Sequence, residues 1–230
     1  MYDYTLYVEI AQAFAKMLHY GVYLLDKTTE LFVYSSDDPL LRCGLTDDDL
    51  SKRGIKAFME QLSIDDYSLI RNAYDDVVTK YDTMPRDQQS RFVAYLNFHT
   101  RYQNRLVMVT HKISVIATDS QGYPLLILGL VTPSPYDCTG FITARITGTD
   151  IIYHYHPDSR SWETGTLPHL TDNELTMLRL TIQGHEIKDI ARLMFKSPES
   201  VKYYRRQVYD KLGVRNISEA LSHAADYCLL

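Results

Sequence analysis

The chain has 230 residues, 45% of them hydrophobic and 23% charged, and a formal net charge of -5. That balance is ordinary for a soluble globular protein of one large domain or two modest ones, and it excludes a bulk positive field that gathers polyanions, so any nucleic-acid contact must be local. The three cysteines, Cys43, Cys138 and Cys228, are odd in number and widely spaced, which excludes a disulfide framework or a zinc-ligand set and fits a reducing compartment.

The first residues, "MYDYTLYVEI", carry early acids and no basic leader, so no signal peptide is predicted. Residues 4–18 are predicted as an amphipathic helix, with Ile10, Phe14, Met17 and Leu18 at helical spacing. A hairpin follows, Val22 to Leu25 and Leu31 to Tyr34, joined by a polar turn. Residues 45–81 are acidic and helical in short pieces, with Thr46 and Ser63 as N-caps and acids behind each that suit helix N-termini. From Ser90 the texture changes to three long β-branched and aromatic strands, the last two joined by "DSQGYP". The longest strongly apolar run, "PLLILGLV" at 124–131, is too short to cross a membrane as a helix. "GFITARITGTDIIYHYHP" predicts one more hairpin turning at Thr147 to Asp150, and the polar "PDSRSWETGTLPH" predicts an interdomain linker at 157–168.

Beyond it every strong pattern is helical. Thr171 and Glu174 form a capping box, Gly184 suits a left-handed C-terminal position, and Ile187, Ile190, Ala191 and Met194 stripe a short second helix. Ser197 caps a third helix, 198–212, with Pro198 at its first position. Asn216 and Glu219 open a fourth, whose apolar side is Ile217, Ala220, Leu221, Ala224 and Cys228. Residues 171–230 hold 9 Lys+Arg against 8 Asp+Glu, and the other 170 residues hold 15 against 21. On a helical wheel the third helix buries Val201, Tyr204, Val208 and Leu212 and presents Glu199, Lys202, Tyr203 and Arg206 on the opposite side, with Arg205 near the edge. A short turn followed by an exposed third helix is the geometry that places Arg and Lys against guanine edges, with flanking cations on phosphates.

Residues from Leu170 to Leu221, carried by Leu170-Thr171, Glu174, Leu178, Gly184, Lys188, Ile190-Ala191, Ser197, Val201-Lys202, Lys211-Leu212-Gly213-Val214, Asn216 and Ala220, closely resemble the LuxR-type helix-turn-helix domain. The resemblance implies a DNA-binding module in which Lys202, Tyr203 and Arg206 face bases and Lys188, Ser200 and Arg205 meet phosphates. It also implies that the fourth helix pairs two copies on double-stranded DNA through Ala220, Leu221 and Ala224, and hence a homodimer. Ile187 and Tyr204 depart from the family pattern, in place of a small polar residue and a histidine. Upstream, the order of hairpin, short acidic helices and three long antiparallel strands resembles a PAS domain in layout, which implies a pocket between helices and sheet for a small-molecule or protein signal.

Other chemistries fit less well. Cys43 sits in "LRCGL", which lacks the Asn-Cys-Arg context of a flavin photosensor. His154 and His156 share a strand face, as a chelating pair would, yet no third ligand is evident and no metal is expected. "SSDDP" follows the second strand without an alternating strand–helix pattern, against a phosphoacceptor domain. No Gly-rich phosphate loop or nucleophile elbow is present, so no catalytic residue and no cofactor are assigned. The chain is therefore read as α+β: a PAS-like antiparallel sheet with short helices over residues 1–156, a linker at 157–168, and an all-α four-helix helix-turn-helix domain over 169–230. The function expected is that of a cytoplasmic, non-enzymatic transcriptional regulator. The competing readings are an enzyme or a protein-interaction adaptor that uses the helix-turn-helix for targeting or docking.

Overall fold

The computed structural model describes residues 2–103, 105–136 and 139–230; Cys138 lies outside them. The chain divides into two compact units, Met1–Gly165 and Thr166–Leu230.

Helix α1 (Thr5–Leu18) lies on the outer face of the sheet. Tyr4, Tyr7, Val8, Ala11 and Ala15 pack there against Val22, Leu24 and Leu126. The side expected to be apolar and inward is instead outward: Ile10, Phe14, Met17 and Leu18 are 46, 43, 68 and 40% exposed. The helix has two apolar sides, and the small Ala11 and Ala15 decide between them, because they let the helix axis approach the strands closely.

Strands β1 (Gly21–Asp26) and β2 (Leu31–Ser35) form the predicted hairpin. Its turn is held by Asp26, whose carboxylate accepts from the Thr28 and Thr29 amides. Four short or medium helices then cover the inner face. Asp38 caps α2 (Pro39–Arg42), Thr46 and Asp49 make a capping box for α3 (Asp47–Lys52), α4 is Ile55–Met59, and Ser63 caps α5 (Ile64–Asp82). The single turn α6 (Arg86–Gln89) leads into β3 (Phe92–Tyr102), β4 (Arg105–Thr118) and β5 (Pro124–Pro133). Asp119 organises the β4–β5 turn by accepting from the Gln121 and Tyr123 amides. The predicted second hairpin is β6 (Ile142–Ile146) with β7 (Ile151–His156).

The strand order is β2-β1-β5-β4-β3-β6-β7-β8, the last being Ser161–Thr166. Strand β8 stands where a linker was expected. Its composition misleads because it is an edge strand, mostly exposed, for which polar residues are the normal cover. Two contacts fasten it. Trp162 packs on Tyr155, ring centroids 5.0 Å apart, and Arg160 in the preceding turn grips Asp76 of α5 with two hydrogen bonds of 2.9 and 2.7 Å. Asp76 also accepts from the Tyr155 hydroxyl at 2.6 Å. His156 meets Glu163 at 2.9 Å rather than a metal-binding set, and no cluster of three His, Cys, Asp or Glu suited to a metal occurs among the described residues.

The second unit contains α7 (Asp172–Ile182), α8 (Ile187–Leu193), α9 (Pro198–Leu212) and α10 (Ile217–Asp226). The caps are those read from the sequence: Thr171 with Glu174, Ser197, and Asn216. Gly213 takes the left-handed conformation at φ +66° that ends α9. Met177, Leu178, Ile190, Ala191, Val201, Val208, Leu212, Ala220 and Ala224 are buried between the helices. The buried Glu174 carboxylate accepts from the Thr171 amide and from Lys211 Nζ, each at 2.7 Å, tying the start of α7 to the end of α9. No helix is long and apolar enough to cross a membrane among the described residues.

Candidate nucleic-acid interface

The turn before α9 is built by the backbone. Phe195 adopts φ +54°, and the Lys196 amide donates to the Ala191 carbonyl at 2.9 Å, closing the end of α8. Ser197 accepts from the Ser200 amide at 3.1 Å, and Pro198 starts the helix without an amide to satisfy. Val201, Val208 and Leu212 then fix the rotation of α9 by burial, while Tyr204 is half-buried. With those residues inward, Glu199, Lys202, Tyr203 and Arg206 are exposed. Arg206 keeps 81% of its side chain in solvent and lies 3.9 Å from Asp210, a distance at which water screens most of the attraction. Tyr203 is 59% exposed and meets Tyr204 edge to face.

Beside α9 runs an open groove of about 620 Å³ against α8. It brings Lys188, Lys202 and Arg205 to one surface. Lys188 is exposed in the first turn of α8, and Arg205 is half-buried along the edge of α9. Glu186 and Glu199 also line the groove; they disfavour a generalised anion site and confine the positive surface to the three cations. Ser200 is half-buried at the N-terminus of α9, where its hydroxyl lies 3.0 Å from that of Ser197. The helix dipole of α9 adds partial positive charge to the same end. Ile187, one of the departures from the family pattern, is a half-buried apolar wall of the groove.

His185 also lines the groove, exposed, two residues before α8 begins. Sequence reasoning missed it because it precedes the helix and so belongs to no helical face; its position just after Gly184 was the available signal.

The expected pairing face needs correction. Ala220 and Ala224 are 0% exposed, so their small size serves packing inside this unit. Of the three residues, Leu221 alone is partly exposed. The reason is the apolar stripe of α10: it is consumed by a core that four short helices can barely fill.

The first unit holds a second concentration of buried polar groups. Tyr74 Oη lies 2.9 Å from His111 Nδ1 and 3.3 Å from Tyr23 Oη. Tyr23 reaches this position because its ring lies directly over Gly129, where a Cβ would stand 1.9 Å from it. Burial raises both tyrosine hydroxyls above their ordinary range and pushes the His111 imidazole down to about 3. The ring of His111 is enclosed by Phe98, Phe58 and Tyr23, and its Nε2 has no hydrogen-bond partner among the described residues. Between helices and sheet a crevice of about 20 Å³ runs past Tyr74, Met59 and Ile127 to the half-buried Lys27, Glu30 and Arg71 and the exposed Asp75. That is room for one water molecule.

Comparison with known proteins bears on both units. Residues 168–224 match the family "Bacterial regulatory proteins, luxR family", and the C-terminal unit is a LuxR-type helix-turn-helix domain. No curated protein sequence matches the chain. Among solved structures, the PAS domain of Bordetella pertussis BvgS is similar at 18% identity over 58% of this chain and 90% of that one, with a TM-score of 0.40. The Vibrio cholerae VqmA dimer, described as a LuxR-type receptor, is similar at 17% identity over 95% of this chain and 87% of that one, TM-score 0.36. A phage VqmA in complex with DPO is similar at 15% identity over 98% and 90%, TM-score 0.34. At such identities and TM-scores the likeness extends to neither function nor mechanism.

Proposed function

We propose that this chain, which joins a PAS-like sheet to a LuxR-type helix-turn-helix domain, is a sequence-specific transcriptional regulator that acts by binding DNA and not by catalysis. The observation that carries the reading is the convergence of Lys188, Lys202 and Arg205 on one groove beside the exposed Tyr203 and Arg206. Helix α9 enters the major groove, where Lys202, Tyr203 and Arg206 meet base edges. Lys188, Ser200 and Arg205 contact the phosphates on either side, which set register and carry no sequence information. The protein works in the cytoplasm as a homodimer, with one α9 of each copy in successive major grooves about 34–36 Å apart. Pairing on DNA uses the outer side of α10 around Leu221, since Ala220 and Ala224 are committed to the core.

The N-terminal unit receives a small-molecule or protein signal. The unpartnered His111 Nε2 in its aromatic enclosure supports a small molecule with one polar group to pair with it. A ligand larger than water requires the packing around Tyr74 and Met59 to open.

Selection of genomic fragments by the purified full-length protein, followed by footprinting, tests the reading. The expected result is an inverted repeat with half-sites one helical turn apart and protection on one face of the duplex. Retention of no fragment above a non-specific, salt-labile background overturns it in favour of an adaptor.

A further inference from the structure

One side chain on the exposed face of α9 has a charge that phosphates repel. Glu199 is exposed in the first turn of the helix. At about 100° per residue it lies about 20° from Arg206, with Lys202 on one side and Tyr203 on the other. It therefore stands at the middle of the exposed face and not at its rim. It is also nearer the N-terminus of the helix than the other three, and the N-terminal residues of a recognition helix are those that contact base edges. On this face the ion pair is Arg206 with Asp210 at 3.9 Å. Glu199 makes none among the described residues, although Lys202 lies at the spacing that allows one. Its carboxylate is left to solvent in the folded chain.

Docking α9 on a duplex changes that. The carboxylate comes among phosphates that repel it, and it loses the water that satisfied it. A donor facing it offsets both costs. The floor of the major groove offers two, the N6 amino group of adenine and the N4 amino group of cytosine. Adenine sets its donor beside the N7 acceptor, which opposes the second carboxylate oxygen, whereas cytosine presents a donor alone.

We infer that Glu199 is a specificity-determining residue, whose carboxylate accepts a hydrogen bond from N4 of one cytosine in each half-site. The inference rests on the reading of α9 as the base-reading helix and adds an acid to the cations assigned there. The neighbouring Lys202 agrees with it, because the guanine of a C·G pair presents the O6 and N7 acceptors that a lysine requires. Rejection of other bases follows from the same charge. Opposite guanine or thymine the carboxylate meets O6 or O4, an acceptor against an acceptor, and a desolvated charge is left unpaired.

The competing role is that of an acid which favours the helix N-terminus and touches no base. Selection from a randomised duplex library by the full-length protein separates the two, run on wild type, Glu199→Ala, Glu199→Gln and Lys202→Ala. Fluorescence anisotropy on the selected operator, on its single-base-pair variants and on a random duplex follows, and thermal melts establish that each protein is folded. Glu199→Ala should lose a preference for cytosine of roughly tenfold or more at one position of each half-site, with the other positions unchanged. It should also bind the random duplex roughly threefold more tightly, since two carboxylates per dimer no longer face phosphates. Glu199→Gln should move the preference at that position to adenine, whose N6 and N7 match an amide. A uniform loss of affinity on every duplex in Glu199→Ala, with a lowered melting temperature, overturns the inference. So does a motif unchanged in both Glu199 variants. If Lys202→Ala relaxes the motif and Glu199→Ala does not, the inference fails and the DNA-binding reading stands; a wild type that selects no motif sinks both.

Discussion

Replacing Lys188 by alanine isolates the phosphate-contacting part of the interface from the base-reading part. Lys188 is exposed in the first turn of α8, makes no ion pair among the described residues and lies on the groove shared with Lys202 and Arg205. Its removal therefore leaves the fold alone. If it neutralises one phosphate per copy, a dimer loses two, and the slope of log K against log salt becomes shallower by about 1.8. Counterion release from two phosphates then accounts for roughly a 30-fold loss of affinity near 0.15 M salt, converging on wild type as salt approaches 1 M. The loss should be the same on operator and on random duplex, since a phosphate is blind to sequence. Fluorescence anisotropy with both duplexes, from 0.05 to 0.3 M salt, measures slope and specificity together. Arg192→Ala serves as the control, because Arg192 is exposed on the same helix but already paired with Asp189 at 3.1 Å. An unchanged slope for Lys188→Ala, or a loss confined to the operator, refutes the assignment of Lys188 to the phosphates.

Three further expectations follow from particular side chains. Lys202→Ala and Arg206→Ala should each weaken operator binding by about 1–3 kcal/mol and relax specificity at the bases they read, measurable by the same titration on operators with single substitutions. Ala224→Glu should abolish DNA binding by unfolding the C-terminal unit, because the new carboxylate falls at a site with 0% exposure and burying an unpaired charge costs several kcal/mol; a helical signal in circular dichroism that survives in residues 166–230 carrying this change would contradict it. The N-terminal unit should lose stability on acidification. The unfolded His111 protonates near its ordinary pKa of about 6.5, whereas burial holds the folded group down to about 3, so the contribution of neutral His111 is fully present above 6.5 and is lost as pH falls toward 3, at about 1.4 kcal/mol per pH unit. Urea titrations of wild type and His111→Phe between pH 7 and 4.5 should therefore diverge in slope, the variant being the flatter, and parallel slopes would rule the linkage out.

What was legible in the sequence was whatever a local rule fixes. Thr171, Ser197 and Asn216 cap helices because their side chains reach amides three residues on, and Gly213 ends α9 because a left-handed residue is needed there. The exposed cations of α9 followed from the spacing of Val201, Val208 and Leu212. The misread features depend on neighbours that no local rule names. Helix α1 has two apolar sides, and the choice belongs to Val22 and Leu24 on a sheet still to be assembled. Strand β8 is polar because it is an edge, and contacts with Tyr155, His156 and the distant Asp76 mark it as structure. Ala220 and Ala224 carry the spacing of an interface and the burial of a core, and spacing alone cannot separate the two.

The grip of Asp76 on Arg160 and Tyr155 has a consequence for how the N-terminal unit opens. Tyr74, two residues earlier on the same helix, is bonded to His111 in the interior, and Lys80, one turn further on, lies 4.0 Å from the centre of the Tyr153 ring. One helix thus holds the deepest polar contacts with one side and the last strands of the sheet with the other. Strand β8 has few apolar contacts of its own, so its amides belong to the low-energy end of the exchange spectrum, while those of α5 belong to the global end. The ion pair joins those two levels, because Arg160 ties the turn that opens β8 to Asp76 of α5. The turn that precedes the last strand is therefore held by the same helix that carries Tyr74 into the interior.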